Sequence, residues 1–120
     1  EELGKLYPQE MVRKDVPTVR TPEETHGLFM EKMKAGDIDG AVDCCFVKGD
    51  QAYMKEGLNF SKSEGRLEGI LLEIENITKS TSYYGKDVEY DYPTSYKGFE
   101  IAGSIRFKQN NEGIWLMERF

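Results

Sequence analysis

The stretch Phe99-Glu100-Ile101-Ala102-Gly103-Ser104-Ile105-Arg106-Phe107-Lys108 decides the fold. Phe99, Ile101, Gly103, Ile105 and Phe107 fall on one side of it, and Glu100, Ala102, Ser104, Arg106 and Lys108 on the other. A period of two marks a strand with one dry and one wet face. Residues 86–92 repeat the pattern, with Val88, Tyr90 and Tyr92 opposed to Asp87, Glu89 and Asp91. Downstream, Gln109-Asn110-Asn111-Glu112-Gly113 reads as a hairpin loop with Gly113 at a positive-φ position. A last strand is expected over 114–119, where Ile114, Leu116 and Glu118 oppose Trp115, Met117 and Arg119. Both sets begin apolar, so register decides which one faces the core. Gly103, central in the best strand, is expected to mark a bulge or bend.

Upstream the period is helical. Thr21-Pro22-Glu23-Glu24 combines a capping hydroxyl, a proline suited to the first helical position and a glutamate that closes a capping box. Leu28, Phe29, Met30 and Met33 follow, and Gly36 ends the helix, which is expected over about 22–35. Asp37 caps a second helix over about 38–46, whose Ile38, Ala41, Val42, Cys45 and Phe46 make one apolar stripe. Gln51 to Glu56 suggests one further helical turn, and Leu58 and Phe60 read as plugs between elements. Ser63 is expected to cap a third helix through Leu67, Ile70, Leu71 and Ile74. Helices first and an antiparallel sheet second is the order of an α+β domain rather than a βαβ sheet. The expected architecture is N-terminal helices packed in a curved antiparallel sheet over residues 21–120. Residues 1–20 form an irregular arm, in which Leu3, Leu6, Tyr7, Met11 and Val12 allow a brief helix.

A length of 120 residues fits one domain. The balance of 16 Lys+Arg against 22 Asp+Glu gives a net charge of -6, which argues against a nucleic-acid partner. The longest apolar run, Ile70-Leu71-Leu72, is far below the ~18 residues of a membrane span, and the start carries no charged-then-apolar leader pattern. Cys44 and Cys45 are adjacent, which disfavours an unstrained disulfide, and they read as two thiols on one helix. They leave the compartment open between cytoplasm and a secreted or lipid-anchored location. A single His and the lack of Cys/His spacing point to no metal and no cofactor.

Thr21-Pro22-Glu23-Glu24, a helix ending in Met33-Lys34-Ala35-Gly36-Asp37, a short second helix and a closing hairpin with Gly113-Ile114-Trp115 resemble the nuclear transport factor two-like superfamily, and within it small bacterial domains of unassigned function. The resemblance covers about 21–120. It implies a cone-shaped, cystatin-like α+β fold: a bent antiparallel sheet curled over helices, with a pocket at the wide end. It also implies a homodimer through the outer sheet face. Members include ketosteroid isomerase, polyketide cyclases, dehydratases, hydrolases and binding modules, so the fold alone does not assign an activity.

Enzymes of that superfamily place acid/base groups inside the cone, so acidic, His or Tyr residues near apolar faces are the candidates. His26 lies three and four residues before Phe29 and Met30, within reach of the apolar stripe. Tyr90 and Tyr92 share a face with Val88 and offer apolar rings with polar tips. Glu118 enters the cavity if the Ile114–Leu116 face turns inward; Glu100 sits on the wet face of its strand. Two readings follow. One is a non-catalytic binding or assembly domain with a small apolar ligand, in which an outward Trp115 and Met117 would supply a dimer patch. The other is a small isomerase-, cyclase- or dehydratase-like enzyme, which requires an acid/base group on the inward face with Tyr as donor. The lone His without an assured partner favours the first.

Overall fold

The computed structural model describes residues 17–83 and 87–120. The expected brief helix through Leu3 to Val12 lies outside the described residues. Among the described residues, the helices α1 (Pro22–Lys34), α2 (Ile38–Cys45), α3 (Gln51–Ser63) and α4 (Leu67–Ile74) precede the strands β1 (Thr78–Tyr83), β2 (Asp87–Tyr96), β3 (Phe99–Gln109) and β4 (Trp115–Met117). The strands form one antiparallel meander in the order β1-β2-β3-β4. The fold is α+β, with the helices on one face of the sheet.

The helix signals work as their chemistry requires. Thr21 Oγ1 accepts from the Glu24 N–H at 3.0 Å and the Glu24 carboxylate accepts from the Thr21 N–H at 2.9 Å, so two of the donors that a helix start leaves unpaired are satisfied together. Asp37 accepts from the Gly40 N–H at 3.0 Å and caps α2. The region after α2 departs from expectation. Residues 51–63 form a helix of 13 residues rather than one turn, and Ser63 ends it instead of capping α4. Only Met54 and Leu58 of α3 are buried. Two inward residues, one turn apart, make too thin a stripe to read as a helix, and Gly57 interrupts it. Phe60 is exposed, not a plug.

The core lies between the helices and one end of the sheet. Phe29, Phe46 and Phe107 are fully buried with Val42, Cys45, Ile105 and Met117. Phe29 meets Phe46 edge-to-face at 5.5 Å between ring centres, and Tyr90 meets Phe107 likewise at 5.3 Å. Truncating one of these phenylalanines to Ala is worth about 3–5 kcal/mol. Register resolves the last strand: Met117 lies opposite Phe107 and Trp115 opposite Gln109, and both Trp115 and Met117 are buried. Ile114, Leu116 and Glu118 therefore face outward, and the outer sheet face has no Trp115–Met117 patch. That face instead sets Asp87 opposite Lys108 and Glu89 opposite Arg106, a ladder of opposite charges in which both acids are half-buried.

The open edge of β4 is covered from both sides of the chain. Arg20 bridges Ile114 and Phe46 bridges Met117, each in parallel. The Val19 and Arg20 N–H groups donate to the Gly113 carbonyl at 2.7 and 3.3 Å, the Trp115 N–H to the Arg20 carbonyl at 3.1 Å, and the Val47 N–H to the Met117 carbonyl at 2.9 Å. Residues 18–20 thus belong to the folded unit, and the domain begins before residue 21. The edge is left with little template for a foreign strand.

The sheet outruns its helices. Along β3, Ile105 and Phe107 are buried while Phe99 and Ile101 on the same face are exposed. The expected common burial of all five residues stops at Gly103. No bulge occurs there: β2–β3 pairing is unbroken from Asp87↔Lys108 to Tyr96↔Phe99, and the irregularity sits between Lys79 and Thr81 of β1.

Candidate functional site

Concave surface lies where the sheet emerges from beneath the described helices. A cleft of about 580 Å³ is lined by Tyr53, Leu58 and Phe60 of α3, Ile70 and Glu73 of α4, and Tyr92 of β2, with Glu56, Ile74 and Phe120 among its other walls. Its volume suits a small organic ligand. A second cleft of about 690 Å³ adjoins it along the free end of the β2–β3 hairpin and shares Glu73 and Tyr92 with it. Asp91, Thr94, Glu100 and Ile101 contribute to its walls.

Each wall has a local cause. Helix α4 carries apolar residues at 67, 70, 71, 72 and 74, more than one stripe can hold, and only Ile74 is buried. Ile70 is left half-buried toward the cleft and Leu72 is exposed. Tyr92 is held by what Gly103 lacks. The two residues are cross-strand partners, and a Cβ on Gly103 would stand 2.3 Å from Cζ of the Tyr92 ring. The glycine provides the space into which the ring lies down, rather than a bend in the strand.

The four candidate residues separate. His26 is buried, and its Nε2 lies 2.7 Å from the Ile74 carbonyl. A carbonyl only accepts, so Nε2 carries the proton and donates, satisfying a carbonyl at the helix end that has no partner within α4. His26 thereby positions the cleft wall without lining it. Tyr90 is buried beside Phe107, and its hydroxyl donates to the Glu23 carboxylate at the start of α1. Tyr92, half-buried, lines both clefts. Glu118 is on the outer face, with its N–H donated to the Arg106 carbonyl at 2.9 Å. Of the four, only Tyr92 stands at the concave surface. Tyr53, Phe60, Ile70, Glu73 and Phe120 join it. The surplus of apolar residues in α4 was the available sign of them.

Elsewhere the polar groups tie elements together. Thr25 is fully buried; its hydroxyl accepts from Arg20 Nε at 2.9 Å and donates to the Trp115 carbonyl. Arg20 also donates to the Cys44 carbonyl. Cys45 is buried and Cys44 half-buried, with sulfurs 3.1 Å apart as free thiols. Burial above all, then the Cys44 hydrogen bond, pushes the Cys45 thiol up, so it stays protonated. Among the described residues, no three His, Cys, Asp or Glu side chains gather to hold a metal ion, and no helix is long and apolar enough to cross a membrane.

Burial, followed by the hydrogen bond to Glu23 and its negative charge, holds the Tyr90 phenol protonated above the ordinary tyrosine range. Burial and then Glu73 do the same for Tyr92. Unfolded tyrosine ionises near pH 10. Above that point the unfolded chain releases protons that the folded chain retains, so stability is full below it and declines as pH rises. Urea midpoints measured from pH 8 to 11 are expected to fall, and to fall less steeply in Tyr90→Phe. Equal slopes in parent and variant would contradict the assignment.

Comparison of the chain with models of known protein families, with characterised proteins and with solved structures returned no match.

Proposed function

We propose that this chain is a non-catalytic binding domain of the nuclear transport factor two-like type, a small bacterial module that takes a small apolar ligand in the cleft between α3, α4 and β2. The observation that carries this reading is the aromatic cleft itself: Tyr53, Phe60, Tyr92 and Phe120 line it together, in a fold whose interior is already packed. Exposed aromatic and aliphatic groups gathered in a concavity gain by covering them with apolar surface, at about 25 cal/mol per Å² removed from water. The enzyme reading asks for an acid/base group inside the cone. His26 and Tyr90, which come nearest to that, are each engaged, with the Ile74 carbonyl and the Glu23 carboxylate. The outer face, with its charge ladder, offers little to a homodimer, so the reading rests on the cleft and not on self-assembly.

The test is fluorescence titration with the neutral dye N-phenyl-1-naphthylamine. The parent is expected to bind it. Tyr92→Ala removes a wall, and Gly103→Ala forces the Tyr92 ring to swing away; each is expected to weaken binding by roughly tenfold, about 1.4 kcal/mol. Absence of binding to the parent, or binding indifferent to both variants, would refute the reading.

A further inference from the structure

We infer that the ligand suited to this cleft is an amphipathic cation, an alkyl or aryl group carrying an ammonium. The inference rests on the reading of the cleft as a binding site and adds the charge of what it binds. Among the described residues, Glu56 and Glu73 line the first cleft and Glu73, Asp91 and Glu100 the second, and no Lys or Arg lines either. Glu73 belongs to both, beside Tyr92. An apolar tail seated among Tyr53, Phe60 and Ile70 therefore shares its cleft with the carboxylates of Glu56 and Glu73. The aromatic walls add to the preference, because a cation over a ring face is attracted by the ring's quadrupole. Tyr53 already serves in this way: the Arg119 guanidinium lies 4.2 Å from its ring centre. That positive charge is balanced by Asp50, which accepts from Arg119 Nε at 3.1 Å and lies 3.1 Å from its Nη2. A carboxylate-bearing ligand would meet repulsion from the same groups. A second copy of the chain, at a net charge of -6, is a poor occupant for the same reason.

The experiment compares n-octylammonium, 1-octanol and octanoate, ligands of equal chain length, by amide NMR titration at pH 7 and low salt. Octylammonium is expected to bind at least tenfold more tightly than octanoate, with octanol between, and to shift the signals of Ile70, Tyr92 and Ile101. Raising the salt to 0.5 M should shrink the preference, since exposed charges are screened within a few ångströms at that strength. Glu73→Gln should remove most of the preference for octylammonium over octanoate. Glu56→Gln repeats the test on a second exposed carboxylate should the first variant not fold. Equal affinities, or tighter octanoate, would overturn the cation and leave the cleft standing as an apolar site. No shift at the cleft with any of the three would overturn both readings.

Discussion

Gly113→Ala is expected to lower the melting temperature by roughly 15 °C. Gly113 adopts φ +84, where an L side chain is strained by about 1–2 kcal/mol. A Cβ there would also stand 2.1 Å from the Pro17 carbonyl oxygen and 3.1 Å from the Val19 amide nitrogen. These are backbone atoms, so no rotamer change relieves the clash; the lead-in segment must come off the sheet edge. With it go the bonds from Val19 and Arg20 to the Gly113 carbonyl and from Trp115 to the Arg20 carbonyl. Each contributes about 1 kcal/mol, and together with the strain the loss reaches about 4 kcal/mol. Gly69→Ala is the control. It lies in α4 with nothing within 4 Å, so alanine there should be neutral or stabilise by up to about 1 kcal/mol. Thermal melts of both variants check the argument. A Gly113→Ala variant melting within a few degrees of the parent would mean that the docked lead-in contributes nothing.

Thr25→Val is expected to cost about 2–3 kcal/mol although it changes almost no volume. The hydroxyl sits at a junction: it takes a hydrogen from Arg20 Nε and gives its own to the Trp115 carbonyl, joining the lead-in, α1 and β4. Valine fills the same space but cannot donate to the Trp115 carbonyl, a bond made in a buried site, nor accept from Arg20 Nε, which leaves the guanidinium its bond to the Cys44 carbonyl. Thr25→Ser keeps the junction and loses one methyl, so about 1 kcal/mol is expected. Urea unfolding of the pair separates hydrogen bonding from packing. Serine more damaging than valine would reverse the assignment.

The first effect arises from a residue whose local signal was plain in the sequence while its partners were not. Gly113 was readable as a positive-φ residue from its loop. That Pro17 and Val19 lie across it depends on a contact over almost the whole chain length, which no local pattern records. The capping box at Thr21, the stripe of α2 and the alternation of β2 and β3 are short-range, and each follows directly from residue spacing. Helix α3 was obscured because a helix that rests only Met54 and Leu58 on the core has almost no apolar period to read.

The site divides the same way. Tyr92 was legible because alternation puts it on the inward face. Its companions were not, because a cleft is a property of where one element stops and another continues. Phe99 and Ile101 obey the same period as Ile105 and Phe107 and differ in being exposed, beyond the reach of the described helices. His26 shows the converse. Composition made it conspicuous as the only histidine, and the structure gives it a carbonyl at a helix end. Rarity in a sequence carries no information about the partner that a side chain finds.

The lead-in paired beside β4 has a mechanical consequence. Because the two run parallel, a pull toward the N-terminal side through residue 17 and toward the C-terminal side through Phe120 drags them past each other along their length. The three hydrogen bonds between them are then loaded together in shear rather than peeled one at a time. A domain strung between two tethers would yield there only when all three give way at once, so its resistance to tension is set by a seam of three hydrogen bonds and not by the size of its core.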